Sequence, residues 1–233
     1  MKPFLPSFPV SPIVRVLAIL GFFIGCLAGP GARGQGLCGT PGLTPAQLEE
    51  SKAAMVRIKA QMADKAANDL TWVPLRIHVV RKSNGTFSWW RSITLNDINA
   101  SLAYVNRKFR SANIQFFVMG SGAGAIDWID SDELYDLPYS TENQASENQL
   151  CNTRDVSNAL NIYFVKSIED AGGYAYYPVA PTNRSTRNLI SMRACSGKPL
   201  FLANTLAHEL GHNFYLPHTF EQGNELVSVL DIY

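Results

Sequence analysis

Residues 206–218 read LAHELGHNFYLPH, and the rest of the chain is best read outward from this run. His208 and His212 are four apart, a spacing that a helix stacks on one face, where both imidazoles can reach one metal ion. Glu209 is turned about 100° from His208 around the same helix. It can stand beside the metal without ligating it and take a proton from a water molecule. Pro217 cannot continue a helix, so the chain turns there and offers His218 as a third nitrogen ligand. Three neutral nitrogens with an open fourth position suit catalytic zinc. In a chain with 4 His, the pattern His-Glu-x-x-His arises by chance with a frequency of roughly 0.3%. A core helix with incidental histidines would have to bury two imidazoles without a shared partner, which is costly. A non-catalytic metal site needs only the histidines. Glu209 speaks for catalysis, because a structural zinc site is normally closed by a fourth ligand, often Cys. A longer-spaced site with Glu221 or Glu225 as third ligand is a weaker alternative.

Upstream, the pattern is that of an α/β layered domain with a mixed sheet. Residues 72–80 alternate and are β-branched, which predicts a strand ending at the Ser83–Thr86 turn. Thr94 caps a helix over 95–110 with Ile98, Leu102, Val105 and Phe109 on one face. Further strands are predicted at 113–118, 160–165, 172–178 and 188–192, the fourth placed at an edge because Pro178 stops it. A last helix spans about 199–213. The polar run 140–148 reads as a surface loop. The carboxylates Asp127, Asp130, Asp132, Glu133 and Asp136 form an acidic stretch that reads as a solvated loop or, less simply, a calcium loop. His78 falls mid-strand and reads as a packed or solvated residue, not a ligand. Tyr174, Tyr176 and Tyr177 read as sheet packing or as substrate-facing rings.

The 233 residues, 46% hydrophobic and 17% charged with a formal net charge of +1, suffice for one globular core and exclude a wholly disordered chain. Near-neutrality gives no electrostatic case for nucleic acid as a partner. Lys2 and Arg15 precede the apolar run 16–28, and Ala32 and Gly34 stand at −3 and −1 of a cleavage site, so residues 1–34 read as an export signal. The run is too short for a stable membrane span. Lipoprotein anchoring at Cys26 is a minor alternative. Loss of Lys2, Arg15 and Arg33 would leave 17 basic side chains against 19 acidic ones. Cys38, Cys151 and Cys195 would remain; two of them can pair and one is left over. Residues 43–69 read as an amphipathic helix that Thr44, Pro45 and Gln47 start, with Leu48, Met55, Ile58 and Met62 at helical spacing. The organisation expected is a signal over 1–34, a pro-segment-like helix within 35–70 and the main domain over 71–233.

Residues 208–218 resemble the metzincin signature H-E-x-x-H-x-x-G-x-x-H. The chain is most similar to the pappalysin family, cytophagalysin-like members included. That likeness also rests on LNIYFV (160–165), AGGYAY (171–176) and HTF (218–220). It covers about 72–220 and implies an exported zinc endopeptidase acting on proteins or peptides. His208, His212 and His218 would be the ligands, Glu209 the general base, and the strand near Gly172–Tyr177 the edge that receives substrate backbone. It implies a metzincin-like upper subdomain: a twisted mixed sheet with an edge strand over the cleft, a backing helix and the active-site helix. The sequence departs from the signature at Tyr215, where glycine normally allows a tight turn. It also departs beyond His218, where relatives build a lower subdomain with a methionine-containing turn. No methionine follows Met192, so that subdomain is expected to be largely missing, and an inactive zinc- or peptide-binding remnant is the rival reading. The resemblance further suggests that Cys38 serves as a latency thiol on the zinc, leaving Cys151 and Cys195 to pair. A solvent-exposed or intermolecular Cys38 is the alternative.

Overall fold

The long strand β1 (Thr71–Arg81) organises the sheet, because it takes two successive parallel partners along one side. Thr71–Leu75 pairs with β2 (Ile114–Val118), and Ile77–Arg81 pairs with β3 (Ile126–Asp130). On its other side β1 pairs with β4 (Leu160–Val165), which pairs with β6 (Arg187–Ser191), all in parallel. The three-residue β5 (Gly173–Ala175) closes the order as an antiparallel edge strand on β6. The computed structural model describes residues 38–62, 70–88, 93–178, 184–196 and 198–218. The expected signal segment and everything beyond His218, Glu221 and Glu225 included, lie outside the described residues. Among the described residues no helix is long and apolar enough to cross a membrane.

Every residue of β4 is buried, as its unbroken apolar sequence requires of a strand covered on both faces. Helices α2 (Leu95–Lys108) and α6 (Pro199–His212) pack against each other and against one face of the sheet, and the single-turn α5 (Met192–Cys195) follows β6. The α2 start is a reciprocal capping box, Thr94 accepting from the Asp97 N–H and the Asp97 carboxylate accepting from the Thr94 N–H at 3.0 Å. Thr44 and Gln47 cap α1 (Pro45–Met62) in the same way, with Thr44 N–H donating to Gln47 Oε1 at 2.9 Å. The rest of the expected helix, residues 63–69, lies outside the described residues. The expected strands are all present, 160–165 with its bounds unchanged and the others with ends shifted by at most three residues.

Two segments differ from the sequence reading. The run 140–148 is not a plain loop: α4 (Gln144–Cys151) forms there, capped by Asn143 and fixed by the buried Glu147. The acidic stretch is solvated as expected at Asp130, Glu133 and Asp136, but it is not a loop. Its first part is β3 and its second is the short α3 (Asp132–Asp136). Register explains why a strand tolerates these carboxylates. Asp130 lies opposite Arg81 and takes its guanidinium in a two-pronged bond of 2.7 and 2.9 Å, while Trp128 stacks under the same group at 4.2 Å. Asp136 pairs with Lys166. Asp127 lies opposite His78 and accepts from its Nδ1 at 2.9 Å. His78 is buried, stacks on Tyr163 at 4.3 Å, and has Nε2 3.2 Å from Asn161 Oδ1, so it is a packed strand residue.

The two cysteines expected to pair are both free and buried. Cys151 sits with Glu147, Asp155, Tyr163 and Arg187, and Cys195 with Lys198, Thr205 and Glu209. Strand alternation puts these sets on opposite faces of the sheet, since Tyr174 reaches Glu147 while its neighbour Gly173 faces Glu209. A disulfide between them would have to cross the sheet.

The hydrogen bond from His78 holds the Asp127 carboxyl below its usual range. A group depressed in this way stabilises the fold above its unfolded value of about 3.9, and that contribution is lost as pH falls through the folded one. Asp127→Asn is therefore expected to cost about 1–2 kcal/mol at pH 7, and the gap to the unmodified protein should close in strong acid, as read by denaturant titration at both pH values.

Candidate active site

Helix α6 presents His208 and Glu209 on successive positions and His212 one turn on, all toward the end of the sheet where β5 runs. The His212 ring is oriented from behind, its Nδ1–H donating to the Leu216 carbonyl at 2.8 Å. Its Nε2 lone pair therefore faces His208 Nε2, 3.1 Å away. The rings of His208 and His212 stand edge to face at 4.7 Å, and His218 stacks on His208 at 5.2 Å.

The turn that returns His218 is built at the signature's departure. Tyr215 adopts φ +60°, a left-handed conformation. Leu216 N–H then bonds the Gly211 carbonyl at 3.2 Å and Tyr215 N–H the His212 carbonyl at 3.0 Å, the paired bonds of a Schellman motif with Tyr215 at the place glycine favours. Tyr215 thus accepts a strained backbone and the turn keeps its course. The same turn supplies the Leu216 carbonyl that orients His212.

A fourth donor comes from far upstream. Cys38 Sγ lies 3.5 Å from His212 Nε2, and one donor atom from each of Cys38, His208, His212 and His218 falls within 4.8 Å of the others. Tetrahedral zinc with its usual bond lengths has N–N edges of about 3.3 Å and S–N edges of about 3.6 Å. The closest pairs here match those edges, and three imidazoles with a thiol are a donor set zinc accepts. The cysteine is held by its neighbours: Gly39 N–H donates to the Gly173 carbonyl at 2.8 Å, and Cys38 bridges Gly173 in parallel. The Thr40 hydroxyl accepts from Ala175 N–H at 3.0 Å and lies 3.3 Å from both the Ala175 carbonyl and Glu209 Oε2.

Glu209 is fully buried, with Oε1 lacking a hydrogen-bond partner and Oε2 between Thr40 and the Cys38 thiol at 3.8 Å. Burial pushes its carboxyl up to about 8, the range of a group that can both take and return a proton near neutral pH. Burial and the neighbouring His218 push His208 down to about 4, and burial holds His212 well below its ordinary value, so both rings are neutral and their nitrogens available. Burial also raises the Cys38 thiol to about 12.

Residues 95–219, more than half of the chain and all of the span from α2 through His218, match the metallopeptidase family M12B, reprolysin-like. The chain belongs to the reprolysin-like metallopeptidases. An extracellular metalloprotease of Neurospora crassa is 28% identical over 232 residues, covering 89% of this chain and 74% of that protein. One from Colletotrichum graminicola is 29% identical over 220 residues, covering 89% and 73%. Extracellular metalloprotease 1 of Coccidioides posadasii is 38% identical over a shorter stretch of 73 residues. A metal ion is implied by the family, and the upper-subdomain architecture expected of it is the one observed.

For a reprolysin-like chain, all four residues singled out from the motif come together, and Cys38 joins them. Thr40 and Glu147 went unread. Thr40 carries no local signal, and Glu147 lay in a run read as loop. Tyr174 and Tyr176 turn away from α6 and bond Glu147, so they are not substrate-facing. Tyr177 packs edge to face on His212 at 5.1 Å. Relieving the strained turn is expected to stabilise the protein: Tyr215→Gly should add about 1 kcal/mol. That corresponds to a melting temperature about 2–4 °C higher, and metal content by elemental analysis should not change.

Proposed function

We propose that this chain is the latent form of an exported zinc endopeptidase, with His208, His212 and His218 as metal ligands, Glu209 as general base and Cys38 on the fourth ligand position. The observation that supports this reading best is the convergence of three imidazoles and one thiol beside a buried carboxyl with an unsatisfied oxygen. Zinc held there would supply Lewis acidity, polarising the scissile carbonyl and bringing water's pKa toward roughly 7. Glu209 takes the proton from the attacking water and returns it to the leaving amine. His212 keeps its nitrogen aimed through its bond to Leu216. The outer edge of β5 receives substrate backbone by strand addition once residues 38–40 have left it. The export reading rests on the 1–34 segment and on relatives named extracellular, and we assign 35–70 as pro-segment and 71–233 as peptidase domain. Within the metzincins, the pappalysin-type variant is supported by LNIYFV, AGGYAY and HTF.

A second reading has one observation in its favour. A thiol closing the set to four is also the arrangement of a permanent structural zinc site, so the domain could bind zinc or peptide without cutting. Casein hydrolysis separates the two. The peptidase reading expects hydrolysis that a chelator abolishes and that added zinc restores. Glu209→Gln should keep zinc and lose at least a hundredfold in rate; zinc-loaded protein that never cleaves, or a Glu209→Gln variant as fast as the parent, overturns it. Latency is tested separately. Cys38→Ala is expected to shorten the lag before activity appears, and an unchanged lag would show that the thiol does not hold the site closed.

A further inference from the structure

The edge strand Gly173-Tyr174-Ala175 and the residue that follows it, Tyr176, alternate a small residue with a tyrosine. Alternation sends the two kinds to opposite faces. On the α6 face there is no spare room: a Cβ at Gly173 would lie 3.0 Å from Glu209 Oε1 and 3.0 Å from the Leu189 carbonyl. The backbone of β5 is therefore already against the carboxyl it serves and cannot move further inward. Outward movement is not restrained by backbone pairing to the same degree, because β5 has three residues and one permanent partner, β6.

The restraint comes from the other face. The hydroxyls of Tyr174 and Tyr176 both donate to Glu147 Oε2, that of Tyr174 at 3.2 Å. Glu147 is completely buried on α4, where a carboxylate persists only with full compensation. Its Oε1 accepts from Arg187 Nη1 at 2.8 Å. Arg187, on β6 and itself buried, is tied in turn to Asp155 at 2.7 Å, Asn152 at 2.8 Å and Asn148 at 3.1 Å. One carboxylate thus has its cation-facing oxygen anchored to β6 and α4, and its other oxygen holding two phenols of the edge strand. Burial keeps both phenols protonated and able to donate.

We propose that Glu147 is a positioning residue for peptide hydrolysis, holding the edge strand through Tyr174 and Tyr176 as a fixed rail on which an extended substrate docks beside Glu209. The role rests on the peptidase reading above; the hold on the strand does not. Glu147 touches neither substrate nor metal ligand and acts only through the two tyrosines.

Removing Glu147 outright would strand Arg187 in the interior, so the informative variants are Tyr174→Phe, Tyr176→Phe and their combination, which delete the hydroxyls and keep the rings. The double variant is expected to raise KM for an extended peptide about tenfold while kcat stays within about twofold, the signature of weakened docking that is shared by ground and transition states. An unchanged KM, or a fall in kcat alone, overturns the proposal. The second readout needs no catalysis. Because Gly39 bonds the Gly173 carbonyl, a loosened β5 should expose Cys38, and its alkylation by N-ethylmaleimide, mapped by mass spectrometry with Cys151 and Cys195 as buried references, should speed up at least fivefold in chelator-treated double variant over chelator-treated parent. Faster Cys38 alkylation in the double variant, where the parent itself hydrolyses nothing, would uphold the hold on the strand while sinking the peptidase reading; equal Cys38 rates, or all three thiols speeding up together, overturn the hold itself.

Discussion

A helix can bring two imidazoles to one point but not three. The third has to come from chain that has left the helix and doubled back, and that return is made at a single residue, Tyr215, in a left-handed conformation. Everything at the centre is conditional on this reversal. It brings His218 against His208, and it turns the Leu216 carbonyl onto the back of His212, which fixes which nitrogen faces inward. A side chain with a Cβ stands where the family's pattern has glycine, so the geometry is sustained by the paired bonds to Gly211 and His212 and by Pro217 two residues further on, not by backbone freedom.

The second constraint is the tightness between α6 and β5. Glu209 is buried to zero exposure partly because the strand facing it carries glycine and alanine. That closeness buries the carboxyl and raises it toward neutrality. Residues 38–40 lie along the same strand, pairing with Gly173 and Ala175 and setting a thiol and a hydroxyl beside the imidazoles and the carboxyl. Two different groups of the site are therefore covered by one tripeptide.

The sheet and the metal-ready cluster were largely legible in the sequence because their signals are periodic. A run such as LNIYFV has few fates other than a covered strand, and His-Glu-x-x-His places its imidazoles by helical geometry alone. What escaped was long-range compensation. β3 looked like an acidic loop because Asp127 and Asp130 become acceptable in a strand only once register sets them opposite His78 and Arg81. Glu147 looked like surface because its cation, Arg187, lies 40 residues further on. The proposed pairing of Cys151 with Cys195 failed for a related reason: counting thiols cannot reveal that a sheet separates them.

Those thiols bear on how the protein can be made. With Cys38, Cys151 and Cys195 all reduced, the described part of the molecule draws no strength from a covalent crosslink, and its sheet holds by burial, by hydrogen bonds and by buried ion pairs. The described sheet therefore forms by its own packing, whether or not an oxidant is at hand.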